Sequence, residues 1–372
     1  MAGLQRNKFR VALYQGLLRL ANRLAALPNR LTPPPFRLIQ IGSAFWQSRA
    51  LYTAAELGVA DELGDGEMST SALAARLQVH EDHLYRLLRM LASIGVFIET
   101  GHRMFRNSKL SMPLRKDDPH SVRAMILMHN GEVMTRPWTE FLPACIRNGS
   151  IAFEQANGSG LYDYLDAHPA FDRLFSQAMD EVEALTGADY LRDFDWSRFD
   201  RIIDVGGSQG GKSLSILRSC PHLRAVVFDR PQVIGDAAAR WQGNVEPEIL
   251  QRLEFVGGDM FESVPGALSD RDLFLFVAVF HGLGDDDAQR VLANLRRAFG
   301  EHKPSVLVVD TVAADTGIDP TVAAFDMQML VNTEGRERTV DEWRGLFAQA
   351  GFGIREIIDV RTFAKFILVQ LS

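Results

Sequence analysis

The residues best suited to chemistry form an ordered set of glycines and acids in the second half of the chain. Asp204-Val205-Gly206-Gly207-Ser208-Gln209-Gly210-Gly211 joins an apolar run to a helix-forming one. Glycines at such a junction allow a tight turn and a close approach of backbone to ligand. A dinucleotide fingerprint would need glycine at 206, 208 and 211, and position 208 is serine. Asp229 closes the next apolar run, where a carboxylate can accept hydrogen bonds from both hydroxyls of a ribose. Asp259 follows a third run within Gly257-Gly258-Asp259-Met260-Phe261. It is placed to meet an adenine amino group, with Met260 and Phe261 on the faces of the ring. Any one of these acids alone is an ordinary loop residue. Their order, each at the carboxyl end of an expected strand, reads as a nucleoside site. His281 stands just past a fourth run, on the same side.

These residues need a sheet to hold them. Strands are expected at 201–205, 225–229, 253–256, 273–280 and 305–309, with a final pair at 353–360 and 365–371. Helices are expected at 212–219, 285–299 (capped by Asp285) and 339–350. Strands alternating with helices predict an α/β, doubly wound parallel sheet. Ahead of it, Pro28 is expected to break an amphipathic first helix, and Pro33-Pro34-Pro35 to form a stiff linker. Helices should follow over 37–64. Residues 69–115 read as a winged helix: a helix capped by Ser69 or Ser71, a second opened by Asp82 and ended by Gly95, and a hairpin over 96–100 and 103–107. Residues 119–190 are helical and rich in Met and Phe. The domains expected are 1–115, a helical arm and winged-helix dimerisation domain; 116–195, a helical connector; and 196–372, the ligand-binding sheet.

Composition narrows the function classes. Of 372 residues 47% are hydrophobic and 23% charged, as in ordinary globular proteins. No apolar run approaches the ~18 residues that span a bilayer. Two cysteines, Cys145 and Cys220, make neither a disulfide framework nor a structural zinc site, and a reducing, cytoplasmic setting fits. Residues 1–50 carry eight basic residues and no acid, so with a net charge of −7 the remainder carries −15. The balance disfavours nucleic-acid binding, leaving a winged-helix DNA-binding regulator a remote alternative. The basic front reads as an arm on a partner subunit, with a transit segment or membrane-surface helix as alternatives. Asp285-Asp286-Asp287 at a helix start complements the helix dipole, and no metal site is expected.

The chain resembles class I S-adenosylmethionine-dependent methyltransferases. More narrowly, it is similar to the small-molecule O-methyltransferases that include plant caffeate-type enzymes and bacterial enzymes of natural-product tailoring. The resemblance spans nearly the whole chain. It is carried by the helical front, the Asp204–Gly210 turn, FDRPQVI at 228–234, GGDMF at 257–261, the histidine after strand four and GRERT at 335–339. It implies a Rossmann-like sheet, a homodimer through the N-terminal domain and S-adenosylmethionine as cofactor. The cofactor contacts implied are Asp204, Gly206, Gly207, Gly210, Asp229, Arg230, Asp259, Met260 and Phe261. It further implies His281 as general base, flanked by Asp310 and Glu337. An aromatic or polyketide-like acceptor is implied against Met128, His129, Trp138, Phe175, Met179, Asp326 and Met329. The chain departs from the family where His-Asp-Trp-Ser-Asp is common, having His281-Gly282-Leu283-Gly284-Asp285. Val277 replaces a lysine, and Ser208 a glycine. N-methylation, or non-methylating hydroxylase or pericyclase chemistry on the same fold, stays open.

Overall fold

A computed structural model describes residues 3–187, 189–241 and 245–372. The chain divides into two compact units, Met1–Arg19 with Gly187–Ser372, and Leu20–Thr186. The unit Leu20–Thr186 takes in the spans expected as a winged helix and a connector, and the first residues fall with the sheet.

In the helical unit, the helix Pro34–Leu57 begins directly at the prolines. Proline lacks the N–H that a first helical turn leaves unbonded anyway, so the expected linker becomes a helix start. Pro28 likewise does not break the helix Lys8–Leu31. In a last turn it costs one hydrogen bond, and its own carbonyl still accepts the Thr32 N–H (3.1 Å). Ser69 caps the helix Thr70–Leu77 by accepting the Ala72 N–H. The helix Glu81–Ser93 is capped by His80 rather than opened by Asp82. Asp82 and Glu81 instead bind Arg103 at 2.6 and 3.0 Å, tying the hairpin to that helix. Strands β1 (Glu67–Ser69), β2 (Phe97–Gly101) and β3 (Met104–Asn107) form a small antiparallel sheet, in the order β1-β3-β2. Leu84, Leu88 and Leu91 share one helical face and close its core with Leu73, Phe97 and Phe105.

The other unit is built on β4 (Arg201–Val205), β5 (Arg224–Asp229), β6 (Leu253–Gly257), β7 (Asp272–Val277), β8 (Ser305–Asp310), β9 (Phe352–Asp359) and β10 (Lys365–Leu371). Their order is β6-β5-β4-β7-β8-β10-β9. The first five run parallel, and β10 is antiparallel to both β8 and β9, so the sheet is mixed. Alternation sorts its side chains. Ile202, Leu273, Leu275 and Leu307 face the helix Gly211–Ser219. Ile203, Phe274, Phe276 and Val308 face the helices Asp285–Phe299 and Val340–Gln349. The strand order reverses at β4, opening a crevice at the carboxyl ends of the strands.

Two boundaries correct the sequence reading. The fourth parallel strand ends at Val277 instead of Phe280, because Ala278 takes a left-handed backbone (φ 53°) and Phe280–Gly282 form a tight turn. Gly284 caps the following helix, leaving Asp285 in its first turn. The basic front is built into the sheet unit at its start: Leu4 is buried, and the Arg6 N–H donates to the Asp193 carbonyl (2.7 Å). Beyond it, Leu13, Leu17, Leu20, Leu24 and Leu27 are exposed.

Candidate active site

The turn after β4 is shaped by backbone conformation. Gly206 and Gly210 have φ of 73° and 83°, values that glycine adopts without strain. A Cβ at Gly206 would stand 2.8 Å from Val279, on the turn that follows β7. Asp204 is buried, accepts the Ser213 hydroxyl at 2.7 Å and lies against Gly207, bracing the turn from within. Ser208 also adopts positive φ (50°), and its N–H donates to Asp229 Oδ2 at 2.7 Å. The Arg230 N–H donates to Asp229 Oδ1 at the same distance. Burial pushes the Asp229 carboxyl above its ordinary value against these two donors.

Each Asp229 oxygen keeps a lone pair beyond these bonds, which suits a pair of vicinal hydroxyls. Asp259 is exposed, accepts the Phe261 N–H on Oδ1 (2.8 Å) and keeps Oδ2 for a donor such as an amino group. Met260 and Phe261 beside it are half-buried, and a Cβ on Gly258 would strike the Phe228 ring at 2.5 Å. The donor set fits an adenosyl group at this edge.

The turn after β7 presents His281. Its Nδ1 lies 2.9 Å from Glu337 Oε1, and Glu337 is buried in the GRERT segment. A carboxylate only accepts, so the ring proton resides on Nδ1 and Nε2 keeps its lone pair. Burial alone would lower the imidazole pKa. The carboxylates of Asp310, at the end of β8, and of Glu337 outweigh it and hold His281 above its ordinary value. Asp310 is itself pushed up to about 7, by burial first and by Glu337 next, against the pull of His281. Asp310 Oδ2 and Glu337 Oε2 have no hydrogen-bond partner among the described residues. The arrangement can take a proton at Nε2 and stabilise the resulting imidazolium between two acids.

Of the expected acceptor contacts, Asp326 and Met329 lie half-buried on the helix Pro320–Asn332. Asp326 accepts the Glu337 N–H (2.9 Å), so it also fixes the base's partner. The other five lie in the helical unit. Met128 is packed in its core with Met134, Phe153 and Ala178, and His129 beside it is exposed. Trp138, in the π-helical turn Pro137–Phe141, and Phe175 are half-buried, while Met179 is exposed. Asp285 is engaged by Arg336 and Arg338, and Asp287 by Arg290. Two site features escaped the sequence reading. Arg338 is buried behind His281, and Gly335 touches the His281 backbone so closely that a Cβ would overlap its carbonyl oxygen. Both lie inside GRERT, whose string was visible although only Glu337 received a role.

Comparison with known proteins places these features in a lineage. A family model described as the O-methyltransferase domain matches residues 138–353, and one for the O-methyltransferase dimerisation domain matches residues 39–117. The chain is 34% identical to a phenazine O-methyltransferase of Lysobacter antibioticus, over 86% of this chain and 92% of that one. It is 31% identical to a phenazine-1-carboxylate N-methyltransferase of Pseudomonas aeruginosa, over 89% and 96%. Among solved structures, a methyltransferase of calicheamicin biosynthesis in its S-adenosylhomocysteine-bound form superposes with a TM-score of 0.76 at 29% identity, covering 91% of this chain and 98% of that one.

Proposed function

The chain belongs to the O-methyltransferase family, and from that premise we propose that it moves a methyl group from S-adenosylmethionine to a hydroxyl of a small aromatic or polyketide-like acceptor, with His281 as general base. The observation that carries the reading is the 2.9 Å contact of His281 Nδ1 with buried Glu337, next to Asp310, at the sheet edge that also bears the glycine turn and Asp229.

S-adenosylmethionine, when bound, supplies an electrophilic methyl on a sulfonium. Asp229 would hold the ribose hydroxyls and Asp259 the adenine amino group, with Arg230, Met260 and Phe261 around them and Gly206, Gly207 and Gly210 giving the backbone room. Asp204 supports that turn. His281 removes the acceptor hydroxyl proton at Nε2. Glu337 keeps the ring oriented, and Asp310 shares the positive charge that the imidazole gains. Alignment of acceptor and methyl by the site contributes on the order of 7 kcal/mol or more to lowering the barrier.

The acceptor contacts proposed are Met128, His129, Trp138, Phe175, Met179, Asp326 and Met329, on the family resemblance. The dimerisation domain supports a homodimer through the N-terminal region. Among the described residues no helix is long and apolar enough to cross a membrane. A second reading, N-methylation, is favoured by the Pseudomonas relative. Incubation of the purified protein with methyl-labelled cofactor and a panel of phenols and aromatic amines tests both. Label in a methyl ether supports the proposal, label on nitrogen supports the second reading, and cofactor bound but never consumed contradicts both.

A further inference from the structure

We propose that Arg338 is a positioning residue: its guanidinium clamps the backbone on both sides of His281, so that the base meets Glu337 and the acceptor in one fixed pose. The inference rests on the reading of His281 as general base.

Arg338 is 1% exposed, and a buried arginine needs partners for its donors. Nη1 donates to the Phe280 carbonyl at 2.7 Å and Nη2 to the Leu283 carbonyl at 2.8 Å. These two carbonyls bracket His281. Nη2 and Nε also reach Asp285 Oδ1, at 2.7 and 3.2 Å. The guanidinium lies 5.4 Å from the centre of the Trp343 ring, whose face closes the remaining side. The planar guanidinium spreads its donors over three nitrogens and so spans all three acceptors, whereas an ammonium has its three donors on one nitrogen and reaches them less completely.

Sequence adjacency adds to the argument. Near Arg338 the chain runs extended, with Thr339 bridged to Ala313 and the Ala313 N–H donating to the Arg338 carbonyl (3.0 Å). From adjacent positions Glu337 takes the imidazole and Arg338 takes the backbone that carries it. Gly335 packs directly on the His281 carbonyl, with no room for a side chain. The turn needs such restraint, because it is entered through Ala278 in a left-handed conformation that a non-glycine residue avoids.

The test compares Arg338→Met, Arg338→Lys and Asp285→Asn with wild type and with Arg344→Met, a surface control that should match wild type. The readouts are kcat against pH, the acceptor KM, cofactor Kd by calorimetry, and the NMR signal of the His281 Nδ1 proton, assigned with His281→Gln. Arg338→Met should lower kcat about 10- to 100-fold, with cofactor Kd and acceptor KM little changed. Its acidic limb should move to lower pH as the Glu337 contact loosens, and the Nδ1 proton signal should be lost. Arg338→Lys should recover part of kcat. If Arg338→Met does not fold, the half-exposed Asp285→Asn carries the test, with a smaller loss and a shift of the limb in the same direction. An unchanged limb with kcat falling only as the folded fraction falls overturns the proposal. So does a lysine variant no better than methionine, or a wild-type profile in Asp285→Asn. Should wild type transfer no methyl, the function reading fails by itself. The Nδ1 proton then decides the clamp: its loss in Arg338→Met supports it, and its persistence overturns it.

Discussion

Two turns meet at the carboxyl edge of the sheet, and they are held in different ways. The turn after β4 is shaped mostly by residues near it in the chain, with Asp229 on the adjacent strand, 21 residues on, holding Ser208. Glycines at positive φ bend it, and Asp204 braces it through Ser213, nine residues away. The turn after β7 is shaped from a distance. Glu337 reaches its imidazole from 56 residues along the chain, and Arg338 grips its carbonyls from 55 and 58. The contact of Gly206 with Val279 joins the two. A locally built turn fails or survives by its own residues. One built by distant side chains couples them, so substitutions there should be strongly non-additive.

The largest expected effect separates chemistry from cofactor binding. His281→Gln should lower kcat by about 100- to 10,000-fold while calorimetry shows cofactor affinity unchanged. Gly335→Ala comes next. Its Cβ would overlap the His281 carbonyl oxygen, which should cost about 3 kcal/mol or more in denaturant unfolding. On the other turn, Asp229→Asn should weaken cofactor binding about 10-fold and leave the acidic limb of kcat where it was; a moved limb would show the turns to be less independent than described. Asp310 sharpens the contrast through pH. Its pKa is raised to about 7, so the folded state favours its protonated form, and that stability is lost as pH rises from the ordinary carboxyl value through about 7. Asp310→Asn should therefore raise Tm more near pH ~8 than near pH ~5. The smallest effect is Ser208→Gly, which relieves a left-handed non-glycine residue and should stabilise the fold by up to about 1 kcal/mol.

The same division decides what could be read in advance. Features written in neighbouring residues are legible in the sequence: the five parallel strands as apolar runs, the hairpin of β2 and β3, Ser69 as a cap, and the glycine turn. Features set by partners far along the chain were not. Phe280 continues an apolar run, which predicts a strand through it, yet Arg338 and the conformation of Ala278 end the strand at Val277. Asp285 looked like a cap because its part in binding Arg336 and Arg338 was invisible. Residue type alone predicts a break at Pro28 and a linker at Pro33-Pro34-Pro35, although the places of Pro28 in a last turn and Pro34 in a first turn decide what they do. His281 stands out in the sequence by type and position, and Glu337, which the structure puts against it, only through a motif.

The most direct measurement is the pH dependence of single-turnover methyl transfer by wild type and Glu337→Gln. His281 held above its ordinary value by Asp310 and Glu337 predicts a wild-type acidic limb above about 6.5. In Glu337→Gln the limb should move to lower pH and the plateau should fall. Superimposable profiles from the two proteins would contradict the account, because the base would then owe nothing to the carboxylate that holds it.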